Sequence, residues 1–262
     1  MEFLGYIQKK LPNAYKIIIF SLILTAIINA QQFGYEQVAI SATIAIVTTL
    51  ILDTIATYIK TKSRDLRSRS PEVSKTSRKV ILSETALISA LIITNIFKPG
   101  EFLFIAITAA LAMILKHVIR YKNAPIFNPA TLGLFIIFRF VSDPVASELW
   151  WGNYNTLAVV ALGLIVSWRI KKLAISFSYL IVHTLISYFR FGNAAFAFFP
   201  FFSAFFMLTE PKTSPSQMKK QIIFGTFAAI VIHIFVLLNL PSAYLLGILT
   251  ANAAKLALDR IS

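Results

Sequence analysis

Apolar runs long enough, or nearly long enough, to cross a ~30 Å hydrocarbon core recur ten times along this chain, and polar, basic stretches separate them. The runs lie near residues 14–31, 37–59, 80–97, 101–119, 129–142, 155–169, 173–190, 194–209, 221–239 and 242–258. A backbone inside lipid must satisfy its own hydrogen bonds, so such runs fold as helices. The expected fold is therefore an all-α polytopic membrane protein of about ten transmembrane helices. It forms a single transmembrane domain over residues 1–262. The fifth, eighth and tenth runs are short, and short or interrupted spans point to a site within a transporter-like bundle.

Composition agrees. The chain is 57% hydrophobic, with a mean hydropathy of +0.75, too apolar for a soluble domain of 262 residues. It has no cysteine, which removes disulfides, thiolate metal sites, iron–sulfur ligation and a cysteine nucleophile. His117, His183 and His233 lie far apart without metal-ligand spacing, so no metal site and no catalytic residue is assigned. No G-x-S-x-G, P-loop or dinucleotide fingerprint is present.

The net charge of +14 is read as membrane topology rather than nucleic-acid binding. With the N-terminus inside, 22 of the 25 basic residues fall on inner segments and only Lys98, Arg139 and Arg190 outside. That asymmetry predicts both termini cytoplasmic; the expected location is a prokaryotic-type plasma membrane. The first apolar run is followed directly by another, so it reads as a retained helix rather than a cleaved signal. Residues 1–13 suggest an interfacial helix. The basic, Ser-rich loop 60–79 is expected to lie against anionic headgroups, and 142–154, with Trp150 and Trp151, to join an interfacial aromatic belt. Five spans on either side of that loop suggest inverted half-repeats, 14–142 and 155–258, on count alone.

Two junctions break the apolar pattern. After Lys116 and His117, a short loop leads to Asn128-Pro129-Ala130-Thr131, an N-cap with proline in the first turn. A helix start between membrane-length segments also offers free N–H groups to a polar or anionic ligand. The second break is Thr209-Glu210-Pro211, after six phenylalanines around Pro200 and Ser203. Both breaks fall on the inner side, which suggests one shared site. Carboxylates at membrane depth are costly unless paired or hydrated, so Asp53, Glu84 and Glu210 are the ion-pathway candidates. Asp53, inside the second span, is the deepest. Single histidines on apolar helices are read as hydrogen-bonded structural groups.

ETALISALIITNIFKPG (84–100), IFNPATLGL (126–134), AFFMLTEPKTSPSQMKKQIIFGT (204–226) and LPSAYLLGILTANAAKLALDR (240–260) stand in order along the chain. Together they resemble the NqrB/RnfD family, membrane subunits of the sodium-translocating NADH:quinone oxidoreductase and of the Rnf electron-transport complex. The resemblance implies a ten-helix flavoprotein subunit of a redox-driven ion pump, with other membrane subunits and Na⁺ or H⁺ as partners besides the lipid bilayer. It places a flavin, riboflavin or FMN, held non-covalently near Asn128, with Thr131 and Thr209 as further candidate contacts. Thr209 and Pro211 match the family's Thr-Asp-Pro motif, and Glu210 replaces its Asp. The Ser-Gly-Ala-Thr motif that carries covalent FMN in the family is missing, so covalent attachment is not expected. Two other classes stay open: a cofactor-free transporter or channel for a small solute or ion, and a scaffold subunit.

Overall fold

The computed structural model describes residues 13–67, 83–122, 124–141, 154–197 and 200–260. The expected interfacial helix before Asn13, most of the basic loop (68–82) and the aromatic loop (142–153, with Trp150 and Trp151) lie outside the described residues.

Helices account for almost all of the described chain. They are α1 (Ala14–Asn29), α2 (Tyr35–Arg67), α3 (Glu84–Ile96), α4 (Phe102–Val118), α5 (Pro129–Ile136), α6 (Thr156–Arg169), α7 (Leu173–Phe191), α8 (Met218–Leu237) and α9 (Ala243–Leu258). Each of the ten apolar runs has a helical counterpart. The eighth departs from α geometry: it consists of a 3₁₀ segment, Gly192–Ala197, and a π-helical segment, Ser203–Met207. Gly192 at φ +57° ends α7, and Pro200, which lacks an N–H, precedes the π turn. Four stretches are long and apolar enough to cross a membrane: Ala14–Gln32, Tyr35–Ser63, Leu173–Phe191 and Met218–Leu237. The other apolar helices are shorter. A two-residue hairpin, Arg120–Tyr121 against Ala124–Pro125, joins α4 to α5.

Local chemistry sets the helix starts. Asn13, Ser83, Asn128 and Asn155 each accept a hydrogen bond from a first-turn N–H of α1, α3, α5 and α6. α3 is the innermost helix: every residue from Ile88 to Ile96 is buried. A helix apolar on all sides belongs at the centre of a bundle. α2 packs on α3 and α4, α4 on α5, and α1 on α3 and α6. Further along the chain, α7 packs on α8 and α8 on α9, while α9 reaches α5. Large apolar side chains such as Ile51, Ile55, Leu157 and Phe189 face outward, as lipid-facing surface requires.

The α7–α8 contact depends on a glycine. A Cβ on Gly225 would overlap the Ser178 hydroxyl and stand 2.5 Å from the Ile175 carbonyl oxygen. Gly225→Val is expected to lower the thermal midpoint in detergent, with a loss of about 1–3 kcal/mol from overpacking. An unchanged midpoint would contradict this close crossing.

Candidate functional site

Asp53 is buried where α2 passes the start of α3 and the last turn of α4. Lys116 Nζ lies 2.7 Å from Asp53 Oδ1, and His117 Nε2 lies 2.8 Å from the same oxygen. Lys116 also donates to Thr85 Oγ1 at 3.0 Å and to Ser83 Oγ at 3.5 Å. Ser83 thus caps α3 and holds the lysine as well. Asp53 and Lys116 are 5% and 6% exposed, so neither charge is compensated by bulk water. Each makes the other tolerable, and the C-terminal dipole of α4 favours the cations in its last turn. Sequence reasoning put Lys116 and His117 in an inner, cationic turn and left Asp53 without a partner. The available signal was a cationic pair in the last turn of one apolar helix and a lone carboxylate in another.

Thr85 leads from this cluster to a second one. With Tyr15, Thr209, Glu210 and Lys212 it lines a cavity of about 10 Å³, room for about one water. Glu210 lies in the connection beyond the eighth span and is 8% exposed. Its carboxylate accepts from Thr213 Oγ1 at 3.1 Å, and its carbonyl accepts from Ser214 Oγ at 2.7 Å. Burial pushes its carboxyl up to about 7, against the pull of the Thr213 hydrogen bond and of the Lys116 and Lys212 charges. Lys116 therefore acts on both Asp53 and Glu210. Glu84, half-buried in the first turn of α3, acts together with Glu210 on Tyr15. The three ion-pathway candidates gather at one end of the bundle.

The two helix breaks also meet. Asn128 Oδ1 accepts from the Thr131 N–H at 3.1 Å, and Asn128 Nδ2 donates to the Met207 carbonyl at 3.3 Å. Its backbone N–H donates to Asn252 Oδ1 at 2.9 Å, and Asn252 Nδ2 reaches the Thr213 carbonyl at 3.2 Å. Lys172, whose ammonium burial pushes down to about 8, donates to the Ser214 and Pro215 carbonyls from the turn before α7. Two side-chain amides and one lysine so satisfy backbone groups freed by the breaks at Asn128 and Thr209.

This arrangement bears on the flavin expected at Asn128, Thr131 and Thr209. All three are at most 1% exposed. The Asn128 amide is used in packing, and the Thr209 hydroxyl donates to the Phe205 carbonyl. Thr131 Oγ1 is the one atom of the set left over, buried with no partner among the described residues. The cavity that Thr209 borders is far smaller than a flavin ring system. As packed here, these residues do not fit a flavin. Asn128→Leu should therefore destabilise the chain by about 1 kcal/mol through the lost cap, leaving flavin content of the purified protein unchanged. Release of a flavin from a folded Asn128→Leu variant would show that the site opens to hold one.

Comparison with known proteins gives one finding. No curated protein matches the chain. Residues 148–262 match the model of the NQR2, RnfD, RnfE family, a stretch that spans α6 to α9 and includes the Thr209–Ser214 break and the final helix. The motifs at 84–100 and 126–134 lie before it. Over residues 148–262, a little under half of its length, this chain is similar to the NQR2, RnfD, RnfE family.

Proposed function

We propose that this membrane subunit of an Rnf/Nqr-type complex handles the coupling cation, Na⁺ or H⁺, at the buried Asp53. The observation that carries the reading is a carboxylate sealed inside the bundle and held by two cationic or ionisable partners. A charge at membrane depth is expensive, and a pair that only staples helices is replaceable by apolar packing. A pair that releases one partner to a mobile ion does something apolar packing cannot.

The chemistry follows from electroneutrality. Asp53 balances one positive charge. When a proton or Na⁺ arrives there, Lys116 loses its counter-ion and turns toward Thr85 and the field of Glu210, which already acts on it. When the cation leaves, Lys116 returns. Its charge therefore substitutes for the transported one, and the buried carboxylate is never left bare. His117 Nε2, on the same oxygen, supplies or removes a proton at the carboxylate. Similarity to the family over residues 148–262 supports the setting of a multi-subunit electron-transport complex. A flavin would supply one-electron and two-electron chemistry; no step here is routed through one.

The second reading is an ion transporter without cofactor. The crowding of Asn128, Thr131 and Thr209 favours it. Visible spectra of the gently purified protein, before and after acid precipitation, separate the two. A flavin leaving with the supernatant supports the redox subunit, and a colourless folded protein supports the second reading.

Asp53→Asn tests the site under either reading. The amide keeps the shape and an acceptor for Lys116 but loses the charge. Transport of Na⁺ or H⁺ in vesicles is expected to fall to background per folded molecule, with some loss of stability because Lys116 is left without its counter-charge. Normal transport in this variant would end the proposal.

A further inference from the structure

The second polar network of the molecule lies between α7, α8 and α9. His183 stands ten residues beyond Leu173, roughly 15 Å along α7. Leu173 and the start of α8 share the end of the bundle where Glu210 lies: Gln221 donates to the Lys171 carbonyl, and Lys172 to that of Ser214. His233 is twelve residues beyond Gln221, roughly 18 Å along α8. The two histidines therefore lie away from Asp53, toward the far ends of α7 and α8: His233 is four residues, roughly 6 Å, from the end of α8.

They are linked in a line. The Tyr244 hydroxyl is 3.1 Å from His183 Nε2, the Ser187 hydroxyl is 3.5 Å from His183 Nδ1, and the same hydroxyl is 3.4 Å from His233 Nε2. The two imidazole centroids are 4.6 Å apart. Tyr244, in the first turn of α9, is half-buried, so the line begins at a partly exposed residue. It ends at His233 Nδ1, buried with no hydrogen-bond partner among the described residues. Such an atom is where one water would bridge onward.

Every member of the line can both give and take a hydrogen bond. A neutral imidazole donates from one nitrogen and accepts at the other, and Ser and Tyr hydroxyls do both. The surroundings offer no fixed counter-charge: α7, α8 and α9 carry no Asp or Glu. The titratable groups that face the pair are Tyr179 on α7 and Tyr244 on α9, and Arg190 at the end of α7 acts on His233. Among the described residues no third ligand joins the histidines, so a metal centre is not formed.

We propose that Tyr244, His183, Ser187 and His233 form a proton-transfer chain through the α7–α9 part of the membrane domain. A proton delivered by the Tyr244 hydroxyl to His183 Nε2 releases the proton on His183 Nδ1 to Ser187 Oγ. Ser187 passes its own proton to His233 Nε2, and His233 Nδ1 gives one up to a water molecule, which carries it away as hydronium. Tyr244 is reprotonated from water. Each group ends with the number of protons it began with, and ring and hydroxyl reorientation resets the chain. The proposal is independent of cation handling at Asp53.

The test is hydrogen exchange at the ring N–H of His233, followed by NMR on the full chain, labelled at histidine nitrogens, in lipid nanodiscs. Ser187→Ala is expected to slow that exchange, with His117 unaffected, and Ser187→Thr, which keeps the hydroxyl, to restore it. A purely structural Ser187 predicts the opposite sign, because removing a hydrogen-bond partner exposes the ring. Faster or unchanged exchange in Ser187→Ala would overturn the proposal. Tyr244→Phe provides the second arm, should Ser187→Ala fail to fold: exchange must then slow at both His183 and His233, and unchanged exchange at both is equally fatal.

Discussion

The Asp53–Lys116 pair governs the amino-terminal half of this protein. It joins α2 to the last turn of α4, and through Thr85 and Ser83 it reaches the first turn of α3. Removing either partner would leave a buried charge, a loss of about 3–5 kcal/mol. The surroundings of α3 follow from that anchoring. Because its start is fixed by a capping serine that also holds Lys116, the helix enters the centre of the bundle and buries every residue from Ile88 onward. The same contact draws the α4–α5 hairpin inward and sets Asn128 beside Met207 and Asn252.

That convergence explains how so many interrupted elements coexist. The Asn128 start of α5 and the Thr209–Ser214 break each free backbone groups that lipid cannot satisfy. Asn128, Asn252 and Lys172 satisfy them from three separate parts of the chain. The solution is economical in space, and it makes the Asn128 region a joint between the two breaks. The π-helical Ser203–Met207 belongs to the same solution, since it presents the Met207 carbonyl to Asn128.

Much of this was legible in the residues. The helix count, the cap at Asn128 and the meeting of the two polar breaks follow from apolar run length, cap chemistry and charge asymmetry, which act locally. Three things were not. Asp53 gave no hint of which cation would meet it, because a pairing between residues 63 positions apart depends on helix packing. The eighth run reads as one apolar helix, but Gly192 and Pro200 divide it into 3₁₀ and π segments. His183 and His233, fifty residues apart and read as separate structural groups, meet with ring centroids 4.6 Å apart and planes tilted by 47°, between two helices that also cross closely at Gly225.

Infrared difference spectroscopy tests the central claim most directly. Spectra of the full chain in nanodiscs would be recorded with and without Na⁺, and across a pH step, with isotope-labelled aspartate. The account predicts a carboxylate band that shifts on cation arrival and is absent from Asp53→Asn. A spectrum in which neither Na⁺ nor the pH step perturbs any aspartate band would contradict it, and would reduce the buried pair to a structural clamp.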